Sequence, residues 1–160
     1  MKYLSLVIFI VTGQAFLAQA AQAALANKCV DLMQKEDFYE AADVCSAMAR
    51  KGDSAAQFVL GVLYYQGNGV MADTAKAQKW MRKAAEQNFA QAQYNLGIMV
   101  ANGQGGPADL VSAYAWLKIS ADNGYAPAAD SLKQLGAELS SSEKKEAEEK
   151  FRELKAKYKF

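Results

Sequence analysis

The sequence predicts an all-α protein: an α/α superhelix, or solenoid, of stacked helical hairpins with a C-terminal capping helix. Three observations carry that expectation. Two stretches of the 160-residue chain, 54–89 and 90–125, align without a gap at a spacing of 36 residues, with 11 of 36 positions identical. The identities include Ala56/Ala92, Gln57/Gln93, Leu60/Leu96, Gly61/Gly97, Gly67/Gly103, Gly69/Gly105 and Trp80/Trp116. Matches at small residues, glycines and one tryptophan point to a shared backbone path and shared packing. Apolar residues within each stretch recur at helical spacing rather than in alternation. A period of this size marks a stacked array of supersecondary units, and such arrays usually present a binding surface.

In chain order, residues 1–23 read as a signal peptide. Lys2 supplies a positive start, Leu4 to Phe16 a mostly apolar stretch, and Ala18-Gln19-Ala20 or Ala21-Gln22-Ala23 a small-residue cleavage site. Thr12, Gly13 and Gln14 interrupt the stretch, which is short for a membrane span; an uncleaved anchor is the alternative. No cysteine follows the apolar run immediately, which argues against a lipoprotein signal. The expected location is periplasmic or secreted, with no membrane insertion once the signal is cleaved near Ala20 to Ala23.

Residues 24–53 read as a partial repeat. Shifting the second helix of the first full unit back by one period places Ala41 under Ala77 and Ala49 under Ala85. Phe38–Lys51 is then a helix ending at Gly52, and 25–35 its partner across a short loop at Glu36-Asp37. Cys29 and Cys45 fall on the two helices of this hairpin. An oxidising compartment permits a disulfide between them, which would pin an end unit that has a neighbour on one side only; two buried free thiols are the alternative.

Each full unit reads as two helices. Ala56, Leu60, Leu63 and Tyr64 make one face of 54–66 apolar. Gly67-Asn68-Gly69, and Gly103 to Pro107 in the second unit, break the helix, since glycine tolerates positive φ and proline cannot continue the ladder. Asp73 and Asp109 stand where a short side chain caps the next helix. The second helices carry Ala77, Trp80, Met81, Ala84 and Ala85, or Ala113, Trp116, Leu117, Ser120 and Ala121. Alanine allows close helix approach, and both tryptophans, at one repeat position, are expected in the core. Asn88 and Gly124 suit the left-handed cap. Residues 126–160 restart the first-helix pattern from Ala126 to Leu135, are interrupted at Gly136 and Ser140 to Ser142, and end in a charged capping helix from Glu143 to near Tyr158. Its stripe of Ala147, Phe151, Leu154 and Tyr158 is expected to pack on the last repeat, with Glu146/Lys150, Glu148/Arg152 and Glu153/Lys157 paired on the solvent side.

These residues resemble the Sel-one-like repeat (SLR) family, relatives of the tetratricopeptide proteins. The family pattern joins an A-x-A-Q-x-x-L-G-x-x-Y start to a G-x-G-V-x-x-D loop, then K-A-x-x-W and A-A-x-x-G. The first copy keeps Ala56-Gln57, Leu60-Gly61, Tyr64, Gly67-x-Gly69-Val70, Asp73, Lys76-Ala77, Trp80 and Ala84-Ala85. The second keeps Ala90, Ala92-Gln93, Leu96-Gly97, Gly103-x-Gly105, Asp109, Ala113, Trp116, Ala121 and Gly124. The departures are Ser54, Asn88, Val100 and Gly106-Pro107. The resemblance implies a secreted adaptor that binds another envelope or secreted protein. Some secreted relatives carry a cysteine pair in every repeat, and a few of these are associated with penicillin binding and weak β-lactam hydrolysis; this chain lacks those pairs. A third reading is a structural subunit docking into an envelope assembly through its C-terminal helix.

Composition narrows the chemistry. Without residues 1–23 the chain has 17 basic and 17 acidic residues, so nothing electrostatic favours nucleic acid or an anionic membrane. There is no histidine, which removes the commonest general base and zinc ligand. Two cysteines cannot build a four-thiolate site, the glycine loops lack the strand and G-K-[ST] of a phosphate cradle, and no G-x-S-x-G elbow is present. No cofactor, metal site or catalytic residue is expected, and the chain is read as a non-enzyme.

Hairpins stacked with a constant rotation curve into a superhelix whose first helices line the concave side. The positions off their core stripe are Ala55, Val59, Val62 and Gln66, matched by Gln91, Asn95, Ile98 and Asn102. Amides mixed with small aliphatics suit an extended peptide: the amides satisfy its backbone and the aliphatics form pockets. Val59, Val62, Gln66, Gln91, Asn95, Ile98 and Asn102 are therefore the candidate partner-binding residues, with Tyr65, Asn68 and Gln104 at the loop mouths as weaker ones. Solvent exposure without a partner is the plainer alternative, and the oligomeric state is left open.

Overall fold

The computed structural model describes residues 27–160; the signal peptide expected over 1–23 lies outside them. Among the described residues there are eight helices and no strand. The first, α1, is helical over 27–34. It is followed by α2 (Phe38–Arg50), α3 (Ser54–Gln66), α4 (Thr74–Ala85), α5 (Ala90–Ala101), α6 (Leu110–Asp122), α7 (Ala126–Glu138) and α8 (Ser141–Tyr158). Each first helix packs on the second helix of its own hairpin and on that of the hairpin before: α3 on α4 and α2, α5 on α6 and α4, and α7 on α6. This is the all-α solenoid.

The hairpin boundaries follow from local chemistry. Asp53, Asp73 and Asp109 cap α3, α4 and α6 by accepting the amides of Ala56, Lys76 and Ser112 at 2.8, 2.9 and 2.9 Å, which satisfies donors a helix start otherwise leaves free. The Lys76 amide, then the Lys76 ammonium, hold the Asp73 carboxyl below the usual carboxylate range. At Asp109 partial burial pushes the other way, but the Ser112 hydroxyl, the amides of Ser112 and Val111 and the charge of Lys150 outweigh it, and its carboxyl is also lowered. Such caps stabilise fully above the ordinary carboxylate pKa, and their contribution fades as pH falls through the lowered folded value. Asn88 and Gly124 take positive φ of 66° and 82°, and the amides of Phe89 and Tyr125 close back on the Ala84 and Ser120 carbonyls, the paired-bond stop of a helix C-terminus.

Two contacts repeat between hairpins. Gly69 (φ 68°) and Gly105 (φ 90°) lie directly on the first residue of the preceding second helix: a Cβ there would stand 2.1 Å from the Phe38 carbonyl oxygen and 2.4 Å from that of Thr74. The second glycine of each loop is therefore a contact between repeats as well as a turn. Buried Gln57 and Gln93 do the same work with hydrogen bonds. Each donates through Nε2 to the last turn of the preceding helix, Ala49 or Ala85, at 3.1 Å, and accepts from Gln87 or Asn123 at 2.7 and 2.8 Å. A buried amide bonded on both ends escapes the desolvation penalty of an unpaired one.

The core runs as two clusters, Cys29 to Leu63 and Ala77 to Leu154, joined by Phe58 and Tyr64, which pack against both. Cys29 and Cys45 form a disulfide in the first hairpin, with Cα atoms 5.1 Å apart and both sulfurs inside the first cluster. Trp116 is 2% exposed. Trp80 departs from the expectation that both tryptophans are core: it is half-buried, with the Lys83 ammonium 4.6 Å above its ring. The cause is α8, which lies over α6 and sets Tyr158 and Phe160 against Trp116, each with its ring centroid 6.3 Å away.

The C-terminal segment differs from the sequence reading in three respects. Gly136 does not end α7, which continues to Glu138; it is a helical glycine facing the Tyr114 ring, where a Cβ would stand 3.2 Å away. Helix α8 starts at Ser141 because Ser140 and Glu143 form a capping box. The expected solvent-side pairs give way to others: Glu148 meets Lys118 of α6, Lys155 meets Asp122 at 3.4 Å, and Glu153 pairs with Lys150 at 3.3 Å. Ala147 and Leu154 are buried, and α8 rests on α6 rather than closing a hairpin with α7.

Candidate functional site

Helices α3, α5 and α7 stand in a row because each is the first helix of its hairpin. Between α3 and α5 opens a cavity of about 250 Å³ lined by Val62, Tyr65, Gln66, Met81, Tyr94, Asn95, Ile98, Met99 and Gln104. Its floor is apolar, from Met81, Met99, Val62 and Ile98. Its rim is amide and phenol, and no formally charged side chain lines it. The rim is also ordered. Gln104 donates to the Tyr65 hydroxyl at 3.0 Å and Asn68 to Gln66 Oε1 at 3.1 Å, while the Gln104 carbonyl is held by Gln78 of α4 at 3.1 Å.

Between α5 and α7 lies a second cavity of about 220 Å³, lined by Ile98, Ala101, Asn102, Leu110, Leu117, Ser131, Gln134, Leu135 and Glu138. It is the first cavity moved one repeat along. Val62, Tyr65, Gln66 and Met81 of the first correspond to Ile98, Ala101, Asn102 and Leu117 of the second. Asn95, Ile98 and Met99 likewise correspond to Ser131, Gln134 and Leu135. Ile98 belongs to both.

Of the seven residues singled out by sequence, the structure brings Val62, Gln66, Asn95 and Ile98 together in the first cavity and adds Asn102 in the second. Gln91 is exposed but lines neither. Val59 departs from the expectation: it is 6% exposed and belongs to the first core cluster with Cys29 and Leu32. The step from Val59 to Asn95 to Ser131 along the repeat explains this, since an apolar side chain was free to enter the core where its polar counterparts were not. Tyr65 and Gln104 are cavity residues in full standing, and Asn68 steadies Gln66. Sequence reasoning missed Tyr94, Met81 and Met99, which the repeat alignment marks only as core, and Glu138, which the alignment places one period beyond Asn102.

A third hollow, of about 330 Å³, lies between the start of α6 and α8 and is lined by Asp109, Val111, Ser112, Glu146, Glu149, Lys150 and Glu153. Asp109 and Ser112 are occupied with the helix cap. Among the described residues no three His, Cys, Asp or Glu side chains come together as a metal-binding set, and no helix is long and apolar enough to cross a membrane. The raised pKa of Lys35, from its Asp31 partner, and that of Lys157, from Tyr158, belong to exposed contacts away from both cavities.

Comparison with known proteins places this geometry. The Sel1 repeat family matches residues 54–89 and 90–125. A sel1-like repeat-containing protein of Acanthamoeba polyphaga mimivirus is 48% identical over 40 residues, which are 25% of this chain and 7% of that protein. Among solved structures, a protective antigen present in uropathogenic Escherichia coli strains, displaying an SLR fold, superposes with a TM-score of 0.83 at 32% identity. That match covers 89% of this chain and 31% of the antigen. A Sel1 repeat protein from Oxalobacter formigenes gives a TM-score of 0.65 at 31% identity, over 72% of this chain and 49% of that one. The chain thus spans less than half the length of each of these relatives. With two matched repeats, and loops and caps that recur at the repeat spacing, this chain carries two Sel1 repeats in an SLR fold.

Proposed function

We propose that this chain is a non-catalytic interaction module of the bacterial envelope that holds an extended segment of another protein across α3, α5 and α7. The observation that carries the reading is the uncharged cavity between α3 and α5. Its amides and phenols satisfy a peptide backbone, and its Met81, Met99 and Ile98 floor takes an apolar side chain. The repeat fold is consistent with protein partners, as is the absence of any charge in the cavity. Export is supported by the Cys29–Cys45 disulfide, a bond suited to an oxidising compartment, and by the signal-like pattern of residues 1–23. The apolar stripe of α8 is spent on α6, which leaves that helix only a charged face for any assembly role.

The test is photo-crosslinking from position 98 in cells that export the protein. Asn95→Arg fills the cavity mouth, and Gln91→Arg adds the same charge outside it. Enrichment of one envelope protein by the unmodified chain and by Gln91→Arg, reduced at least tenfold by Asn95→Arg with helicity unchanged, supports the reading. Equal recovery with all three sinks it.

A further inference from the structure

The two cavities between α3, α5 and α7 are one cavity built twice, and a single formal charge distinguishes them. Along the repeat the rim position runs Gln66, Asn102, Glu138. Helices α3 and α5 carry no charged residue anywhere along their lengths, so Glu138 is the one formal charge lining either cavity. Glu138 is exposed at the end of α7 and, among the described residues, makes no ion pair. Both floors are apolar, with Leu117 and Leu135 where the first cavity has Met81 and Met99, but in the second Gln134 replaces Ile98 and Ser131 replaces Asn95.

We infer that the occupant is an extended segment with an apolar side chain in the α3/α5 cavity and, a few residues along, a lysine or arginine paired with Glu138. The inference rests on the peptide-groove reading above and adds its specificity. Charge complementarity fixes the identity of the second residue, because a carboxylate without a partner at the rim favours a cation and repels an acid. The two cavities share Ile98 as a lining residue, so neighbouring stretches of one extended segment can occupy both. Long basic side chains also suit the site, since their aliphatic stems can lie along Leu135 and Leu110 while the charge reaches the rim.

The experiment is selection of a displayed random dodecapeptide library on the disulfide-bonded protein, on Glu138→Lys and on Asn95→Arg. Unmodified protein is expected to enrich peptides with an apolar residue and a Lys or Arg at one fixed position a few residues away, in either chain direction. Glu138→Lys should keep the apolar preference, lose the basic one and enrich Asp or Glu at that position. A selected basic peptide should bind Glu138→Lys roughly three- to tenfold more weakly, the scale of one exposed charge pair lost and reversed. Peptides that enrich on unmodified protein and not on Asn95→Arg, yet show no charge preference or no change with Glu138→Lys, overturn this inference and leave the groove reading standing. Peptides that enrich equally on all three proteins, or no enrichment at all, overturn both.

Discussion

Gly105 shows how much one missing side chain decides here. Its φ of 90° lies in the left-handed region, and a Cβ would stand 2.4 Å from the Thr74 carbonyl oxygen, a backbone atom that cannot swing aside without unseating the α4 N-terminus. Gly124 has a similar φ of 82° but nothing within 4 Å of its Cβ position. Gly124→Ala therefore carries only the backbone strain, about 1 kcal/mol. Gly105→Ala carries the strain and a displaced repeat, about 3 kcal/mol together. Urea denaturation of the two variants measures the difference, and equal losses would mean the contact between repeats contributes nothing. The glycine itself was legible in sequence, because it recurs at Gly69. Its role was not, since a helix-breaking turn explained it without any neighbour. Gln57 and Gln93 were the same kind of partial signal. Their identity at one repeat position marked them as shared structure, but the carbonyls they reach belong to the preceding hairpin, eight residues upstream.

At the scale of elements, hairpins in the middle of the chain were read well and the last helix less so. The apolar period defines α3 to α6 from within each repeat, with Asp73 and Asp109 marking the starts of α4 and α6. Where α8 goes depends on what it meets, and there the pattern gave only an apolar stripe and a list of charges. The stripe does face inward. The charges did not pair at the expected spacing: Glu148 and Lys155 reach across to Lys118 and Asp122 of α6, while Glu153 pairs along the helix with Lys150. The same helix explains why two tryptophans at one repeat position have different surroundings. Leu154→Ala tests whether α8 is part of the folded unit. Leu154 is 9% exposed within the second core cluster, and its truncation should cost about 2 kcal/mol. Loosening Tyr158 and Phe160 from Trp116 should also shift tryptophan emission to longer wavelength. A stability within 0.5 kcal/mol of the parent, about the scatter of surface substitutions, would mean that α8 is held by its ion pairs alone.

At the scale of the whole molecule, the first and last hairpins of the described residues are held by different means. The C-terminal end relies on apolar packing: α7 buries little beyond Ala128 and Leu135, and α8 folds back to cover the outside of α6 with Leu154, Phe151 and Tyr158. The N-terminal end relies on a covalent bond. Helix α1 has α2 as its hairpin partner, and the disulfide joins them across 16 residues of sequence. Closing a loop of about that length removes roughly 3 kcal/mol of unfolded-chain entropy. In a solenoid each unit leans on its neighbours, so that loss should be local at first. Reduction, or the Cys29→Ser, Cys45→Ser pair, should lower stability by about 2–3 kcal/mol and speed amide exchange in α1 and α2 well before α5 and α6. The consequence for the groove is indirect. Val59 and Leu63 of α3 are buried in the first core cluster with Cys29 and Cys45, so fraying there would loosen one wall of the α3/α5 cavity while the α5/α7 cavity keeps its shape. Uniform acceleration of exchange across all helices would show instead that the hairpins unfold as one cooperative unit, with the disulfide stabilising both cavities equally.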